Sequence, residues 1–377
     1  MDDRIRTWAE IDLGAIEHNY RVLSGLYKDS AFVAIVKANA YGHGADAVAA
    51  RLQRAGCENF AVATVGEAVS LRQSGIVKDI LILGYTPIEC SGELLEYGIT
   101  AAVPDLETAK ALSEAAVKAG KKLKVHLKTD TGMGRLGFIC SKGRDPVEDM
   151  AAAMALPGLD VEGIFTHFAT SESEDGSYFL QQLSDFKSVI ERAEKRSKQK
   201  FRKKHCANSG AVLKYRDSLG LGMDLIRPGI ALYGAYPGED RDVELRPALS
   251  LKSRIYRIRD MDRGDSISYG RTFTADRPCR IAVIPIGYGD GLHRVLSNKM
   301  SVLVRGQRAP QVGRICMDRC MVDVSEIDGA ACGDVVTIIG SDGGSTIEAR
   351  ELADMAGTID YELFCDLTAR VPRVYIG

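Results

Sequence analysis

The chain has 377 residues, of which 49 are lysine or arginine and 51 are aspartate or glutamate, so its formal net charge is −2. This balance leaves no basic surface for nucleic acid and no polybasic patch for a membrane. No apolar run approaches the roughly 18–20 residues of a membrane span, and the N-terminus lacks the apolar core of a signal peptide. Nine scattered cysteines complete no zinc pattern. We therefore expect a cytoplasmic protein with reduced, buried thiols and no metal.

The length exceeds that of one typical domain, so two domains are expected. In the first part of the chain, β-rich runs alternate with helical patterns. Eight such β-then-α units predict an α/β fold with a closed, parallel (β/α)8 barrel. A doubly wound open sheet is the alternative, although no G-x-G-x-x-G follows the first strand. The predicted strands are Phe32–Lys37, Phe60–Val65, Ile80–Tyr85, Thr100–Pro104, Leu123–Lys128, Val161–Phe168, Lys204–Ser209 and Leu225–Tyr233. The helical patterns include Ala45–Ala55, Glu67–Ser74, Leu106–Ala119, Val147–Ala155, Phe179–Lys198 and Gly210–Tyr215.

The character of the sequence changes near Ala235–Pro247, a polar segment typical of a linker. The runs beyond it are short, β-branched and bounded by Gly, Asp or Pro, which indicates a mostly-β second domain. One helix is predicted over Ile347–Ala356, with Ser345 and Thr346 as its cap. We expect the barrel domain over residues 1–238 and the β-rich domain over residues 239–377. The N-terminal residues are able to pair with the second domain.

A lysine, Lys37, ends the first apolar run and is followed at once by a small-residue turn. Burial of a lysine lowers its pKa, and a neutral amine can form a Schiff base with an aldehyde cofactor. A surface lysine at a strand end is the other interpretation. Further polar residues fall at the predicted carboxyl ends of strands, where barrel enzymes hold their chemistry. They are Lys128, His167, Asn208, Ser209 and Arg227.

Eight segments in order resemble the motifs of one family, the fold-type III, pyridoxal-phosphate-dependent alanine racemases. The resemblance covers nearly the whole chain, from Thr7 to Arg373. The segments are VKANAYGHG at Val36–Gly44, HLKTDTGMGRLG at His126–Gly137, THFA at Thr166–Ala169, ANSGA at Ala207–Ala211, RPGIALYG at Arg227–Gly234, SYG at Ser268–Gly270, IPIGYGDG at Ile284–Gly291 and GRICMD at Gly313–Asp318.

The resemblance implies that Lys37 holds pyridoxal 5'-phosphate as a Schiff base and then exchanges the α-proton of the D-isomer. It implies that Tyr269 of a partner subunit, hydrogen-bonded to His167, exchanges the α-proton of the L-isomer. Two proton-transferring groups on opposite faces avoid any rotation of the substrate. Arg227 matches the arginine that faces the pyridine nitrogen. Because a guanidinium does not give up its proton easily, the ring nitrogen stays unprotonated.

Further roles follow from the same resemblance. Phosphate contacts are implied for Tyr41, Ser209, Gly229 and Ile230, with the region of Tyr361 and, more weakly, Asn208 as additional candidates. Arg135 matches the arginine that contacts the phenolic oxygen of the cofactor and the substrate carboxylate, and Lys128 matches a lysine that is carbamylated in many relatives. Met317 and Tyr288 match pocket residues from the second subunit, and Asp318 supports their loop. The site is therefore expected to be complete only in a homodimer.

One position departs from the family pattern, because Ala369 stands where many members carry a tyrosine. The wider pocket predicts measurable racemisation of serine, with alanine preferred, since one small group discriminates by only about 1–3 kcal/mol. The main hypothesis is an alanine racemase that supplies D-alanine for peptidoglycan, and the alternative is a serine/alanine racemase of the glycopeptide-resistance type. Three further readings are a decarboxylase of basic amino acids, a non-catalytic cofactor-binding protein and a scaffold with a decayed site. The SYG and GRICMD motifs and the retained site residues argue against all three.

Overall fold

A computed structural model describes residues 6–140, 143–216 and 223–377. The chain divides into two compact units. The barrel unit consists of the described parts of Ile16–Ala40 and Ala45–Arg246, and the sheet unit of those of Met1–Ala15, Tyr41–Gly44 and Pro247–Gly377. None of the helices in the described ranges combines the length and the apolar character that crossing a membrane requires.

Eight parallel strands close the barrel, because the fourth pairs with the fifth and the eighth pairs with the first. Most of their residues are buried, as is typical of parallel strands covered on both faces. The predicted (β/α)8 barrel is thus confirmed. The strands are Ala31–Ile35, Asn59–Val62, Asp79–Ile82, Thr100–Val103, Leu123–Asp130, Leu159–Phe165, Lys203–His205 and Leu225–Ile226, and the short strand Phe138–Ile139 pairs with the fifth of them.

Helices follow the barrel strands along the chain and begin at recognisable caps. The side chain of Thr64 forms a reciprocal capping box with Glu67, and Asp105 accepts the N–H of Thr108. The six predicted helices are confirmed to within two residues at each end. The helices are Leu13–Gly25, Ala45–Arg54, Val65–Gln73, Ser91–Tyr97, Leu106–Lys118, Val147–Met154, Ser177–Ser197 and Ser209–Lys214, with 3-10 turns at Ile88–Cys90 and Ile230–Tyr233.

The last two barrel strands are shorter than the sequence predicted. The predicted strand Leu225–Tyr233 ends at Ile226, because proline at position 228 lacks the N–H that a sheet requires. The predicted strand Lys204–Ser209 ends at His205, because Asn208 caps the helix that follows. Residues expected on strands therefore lie in tight turns at the carboxyl ends of the strands.

The sheet unit is mostly β-structure, as predicted, and the N-terminal strand belongs to it. Thr7–Asp12 pairs antiparallel with Leu249–Arg254 and parallel with Arg373–Ile376. The large sheet has the order Gln307–Pro310, Ser301–Val304, Val335–Asp342, Leu249–Arg254, Thr7–Asp12 and Arg373–Ile376, with Ser345–Ile347 paired to Val335–Asp342. Smaller sheets contain Arg257–Met261, Cys279–Ile284 and Cys320–Asp323, and Ser266–Ile267 with Phe273–Thr274. The helical elements are Ala349–Ala356 and Asp360–Cys365, with 3-10 turns at Tyr269–Arg271 and Arg294–Leu296.

The predicted start of the helix at Ile347 is wrong. Ser345 and Thr346 pair in a hairpin strand instead of capping a helix, and the helix begins at Ala349. A second helix, Asp360–Cys365, follows it, although the sequence predicted only one helix in this part of the chain. The expectation of buried thiols holds only in part. All nine cysteines lie in the described residues and none of them forms a disulfide, but only four are buried, and Cys332 and Cys365 are exposed.

Close backbone packing at Gly42 generates a stability prediction. Gly42 has φ +80°, and a Cβ atom there would overlap the carbonyl oxygen of Phe364. Gly357 has φ +73° in the same unit but open space around it. We expect Gly357→Ala to cost about 1 kcal/mol through backbone strain alone. Gly42→Ala should lower the free energy of unfolding by at least about 2 kcal/mol more than Gly357→Ala does, because the main chain at Phe364 must move. Urea unfolding at one fixed protein concentration measures both, and equal losses would contradict the overlap at Gly42.

Candidate functional site

Lys37 follows the first barrel strand in a strained piece of backbone. Its side chain is half-buried, and residues 38–41 form a left-handed turn with φ between 51° and 54°. Left-handed backbone costs roughly 1–2 kcal/mol for each residue that carries a Cβ atom. The side chain of Asn39 stabilises the turn by accepting the N–H of Ala45 at 2.9 Å. Strain of this kind concentrates at functional sites.

His167 lies just after the sixth barrel strand and experiences a concentration of positive charge. Burial lowers its pKa well below the ordinary value, and four cations lower it further. In decreasing order of effect, they are Arg227, Arg135, Lys128 and Lys37. Nη2 of Arg227 lies 3.5 Å from Nδ1 of His167, so residues that follow the sixth and eighth strands meet at one end of the barrel. An imidazole beside two arginines favours the binding of an anionic ligand.

Arg227 is buried, with only 4% of its surface exposed. Its Nη2 donates to the carbonyl oxygens of Thr166 at 2.8 Å and Cys206 at 3.2 Å. Its Nη1 lies 2.8 Å from Nδ1 of His205. Burial lowers the pKa of Arg227 to about 10, so the guanidinium remains a cation at neutral pH. Its fork is held rigidly by neutral acceptors.

Lys128 was predicted at a strand end, but the strand continues to Asp130 and encloses it. The ammonium is 3% exposed and donates to the carbonyl oxygen of Thr129 at 2.6 Å. Burial lowers the pKa of Lys128 to about 7, with Arg227 adding to the effect. A substantial fraction of this amine is therefore neutral, and nucleophilic, near pH 7.

Asp130 shapes the loop that carries Arg135, a role that sequence reasoning missed. Its carboxylate accepts the N–H groups of Gly132, Gly134 and Arg135 at distances of 2.8–3.0 Å. The pattern Asp-Thr-Gly-Met-Gly was the available signal, because an aspartate before glycines is typical of such turns. The loop leaves the side chain of Arg135 exposed.

Ser209 accepts hydrogen bonds from two backbone N–H groups at the end of the barrel. Its hydroxyl accepts the N–H of Gly229 at 2.8 Å and that of Ala231 at 3.3 Å, and Ile230 lies buried between them. A hydroxyl and neighbouring backbone amides are the donors that a phosphate group uses in barrel enzymes. Asn208 is engaged in capping the next helix, so its amide is committed to the fold.

In the sheet unit, the structure brings Tyr269, Tyr288 and Met317 to one surface. Their exposed fractions are 69%, 42% and 52%. The N–H of Tyr288 donates to the carbonyl oxygen of Cys316 at 3.1 Å, which links the two loops. Ser268, Tyr269, Cys316 and Met317 line one concave surface. Large apolar side chains exposed together mark a contact surface for another molecule.

Asp318 and Ala369 are two further predicted site residues of the sheet unit. Asp318 accepts a hydrogen bond from Arg370 at 2.7 Å, which supports the loop of Met317. Ala369 is exposed in a turn. Tyr41, by contrast, is buried with its ring 6.0 Å from that of Tyr361, so the aromatic neighbour of Tyr41 is Tyr361.

Comparison with known proteins identifies the family. Residues 11–237 match the family described as "Alanine racemase, N-terminal domain", and residues 248–375 match "Alanine racemase, C-terminal domain". The chain is 45% identical to "Alanine racemase 2" of Caldanaerobacter subterraneus subsp. tengcongensis, over 100% of this chain and 96% of that protein. The solved structure of an alanine racemase from Clostridium difficile 630 has a TM-score of 0.91 at 38% identity, covering 99% of this chain and 96% of the other. A histidine racemase from Leuconostoc mesenteroides has a TM-score of 0.90 at 31% identity, with 99% of each chain covered.

Proposed function

The chain belongs to the alanine racemase family and is an amino-acid racemase, and we propose that it interconverts L-alanine and D-alanine with pyridoxal 5'-phosphate. The observation that carries this proposal is the convergence of Lys37, Arg135, Lys128 and Arg227 on His167 at one end of the barrel. The same chemistry in a cell makes D-alanine available for peptidoglycan precursors.

The donor set at the end of the barrel fits the proposed cofactor. The Ser209 hydroxyl, which accepts the N–H groups of Gly229 and Ala231, keeps its own proton to donate to a phosphate, and the resemblance adds Tyr41 and Ile230 as further phosphate contacts. When bound, pyridoxal phosphate supplies an electron sink that acidifies the α-proton of an amino acid. In this proposal Arg227 would face the ring nitrogen and donate a hydrogen bond to it without giving up its proton.

Two side chains move the proton in this proposal. The Lys37 amine exchanges the α-proton of the D-isomer, and the Tyr269 hydroxyl exchanges that of the L-isomer. The high exposure of Tyr269 supports its delivery to the barrel end of a second copy of the chain, next to His167. Met317 and Tyr288, on the same surface, would accompany it and contact the substrate. A two-fold homodimer satisfies both copies at once.

A carbamate on Lys128 is also part of the proposal. The neutral amine attacks the carbon of CO2, a C–N bond forms, and one proton leaves to solvent, so a cation becomes an anion. Lys128 has the lowered pKa, about 7, that this reaction requires. The resulting carboxylate would pair with Arg135 and orient it toward the substrate carboxylate.

Alanine is favoured over serine as the substrate. The serine alternative depends on Ala369 alone, whereas the relatives that match over nearly the whole chain are named alanine racemases. We expect cofactor-loaded protein to racemise L-alanine faster than L-serine by at least about tenfold. In Ala369→Tyr, that ratio should change by less than about twofold. Initial rates with both amino acids, and with L-histidine as a control, measure this. Equal rates with alanine and serine would overturn the assignment of substrate.

Complementation tests the shared site. Lys37→Arg and Tyr269→Phe should each lower the racemisation rate at least about a thousandfold. Mixed dimers of the two variants contain one intact site, so co-expression should restore about a quarter of the activity per chain in a random mixture. Tyr256→Phe, at another exposed tyrosine of the same unit, is the matched control and should retain full activity. No restoration on mixing would show that each site is built from one chain.

Carbamylation of Lys128 has a direct readout. Protein equilibrated with 13C-labelled bicarbonate should show one carbamate carbon signal that is missing from Lys128→Met, and a crystal structure should show density beyond Nζ. Lys124→Met, on the same strand but with a half-exposed side chain, should keep the signal. Density that ends at Nζ, together with an unchanged spectrum in Lys128→Met, would contradict the carbamate.

A further inference from the structure

A row of four buried polar side chains leads from Arg227 into the interior of the barrel. Nδ1 of His205 lies 2.8 Å from Nη1 of Arg227, and Nε2 of His205 lies 2.7 Å from Nδ1 of His126. Nε2 of His126 lies 3.6 Å from Oε1 of Glu162, which is longer than a hydrogen bond but close enough for the carboxylate to attract an N–H dipole. All four residues are at most 4% exposed. Their strands are the fifth to the eighth of the barrel, so the row crosses four neighbouring strands.

The direction of every proton in this row is determined by its two ends. Because a guanidinium only donates, Nδ1 of His205 must accept, and the proton of that ring must be on Nε2. That N–H donates to Nδ1 of His126, so the proton of His126 must also be on Nε2. There it points at Glu162, which as a carboxylate only accepts. Any other tautomer of either ring would bring two donors or two acceptors together.

The two rings are also held in place by packing. A Cβ atom at position 163 would lie 2.7 Å from the ring of His126, so only glycine admits that ring. The ring of His205 stacks on Phe165 with centroids 4.9 Å apart and an interplanar angle of 2°. Neither imidazole can turn without displacing main chain or an aromatic side chain.

The charge at the inner end is maintained by Lys203. This lysine contacts Glu162 and also Asp79, the latter at 2.9 Å. Burial alone would raise the pKa of Glu162, but His126 and Lys203 outweigh it and bring the pKa to about 2. Burial and the charge of Arg227 lower the pKa of His205, and burial lowers that of His126. At neutral pH the row therefore consists of an anion, two neutral rings and a cation.

We propose that Glu162 and His126 are positioning residues for the reaction, which hold His205 in the tautomer that accepts a hydrogen bond from Arg227. Arg227 is thereby kept in one orientation toward the ring nitrogen of the cofactor. This inference rests on the proposed function for its consequence in catalysis, but the proton positions do not depend on that function.

The proton positions are measured by 15N NMR of histidine-labelled, cofactor-loaded, full-length protein. The chain has six histidines, so single-histidine variants assign each ring. We expect His126 and His205 to be neutral, with the proton on Nε2, across neutral pH. In Glu162→Gln, we expect the N–H resonance of His126 to move and its tautomer to become mixed, because an amide can either donate or accept. A proton on Nδ1 of His205 in the unmodified protein, or rings unaffected by Glu162→Gln, would overturn the proposal.

Kinetics distinguish positioning from general stability. Glu162→Gln should lower kcat for L-alanine roughly tenfold with little change in KM, because the carboxylate charge that orients the N–H of His126 is lost. Glu194→Gln is the matched control, because Glu194 is equally buried and pairs with Lys200 and Lys204. It should keep the kcat of the unmodified protein. Equal losses in both variants would refute a specific role for Glu162.

A second variant keeps the test decisive if Glu162→Gln does not fold. Gly163→Ala retains every charge but displaces the ring of His126, so it should lower kcat with a shift of the histidine resonances. An unchanged kcat in Gly163→Ala, with the ring of His126 demonstrably displaced, would refute the proposal. Inactivity of the unmodified protein toward alanine would instead contradict the proposed function, while the NMR result would still decide the proton positions.

Discussion

The burial of the Arg227 guanidinium is the constraint on which the site depends. Within residues 6–140, 143–216 and 223–377, no carboxylate lies within ion-pair distance of it. Removing a cation from water costs several kcal/mol unless its donors are satisfied. Two carbonyl oxygens and His205 accept from Arg227, which directly follows the end of the eighth strand at Ile226. The turn that follows places the N–H groups of Gly229 and Ala231 on Ser209, so one buried charge and one anion-binding group share the same short segment.

Each unit presents only part of the expected chemistry. The barrel unit places basic side chains around His167. Tyr269, which is predicted to transfer a proton, belongs to the sheet unit instead. The sheet unit exposes the large side chains of Tyr269 and Met317 on one surface. Large apolar side chains exposed together are typical of a surface that another molecule covers. The proposed homodimer relates the two observations, because the residues missing from one copy are those exposed on the other.

Pattern reasoning succeeded where burial is uniform and failed where backbone geometry changes within two or three residues. The barrel strands were recognisable because parallel strands buried on both faces read as short apolar runs. The ends at His205 and Ile226 were missed, because a cap and a proline ended the strands inside segments that remained apolar. Lys128 was placed at a strand end by the opposite error, because the strand continues through Thr129 and Asp130. Ala369 was assigned to a pocket by motif alone, and that role stays a prediction.

The sequence by itself determined the barrel, the mostly-β second part and the family, because these depend on local periodicity and on motifs contiguous in the chain. The same motifs predicted Lys37, Arg227 and Tyr269 as site residues. Only the tertiary structure decided the surroundings of those residues. The row from Arg227 through His205 and His126 to Glu162 joins four strands, and no local pattern encodes distances between residues so far apart in sequence. Closure of the barrel buries these groups together, and burial lowers the pKa of His205 and of His126.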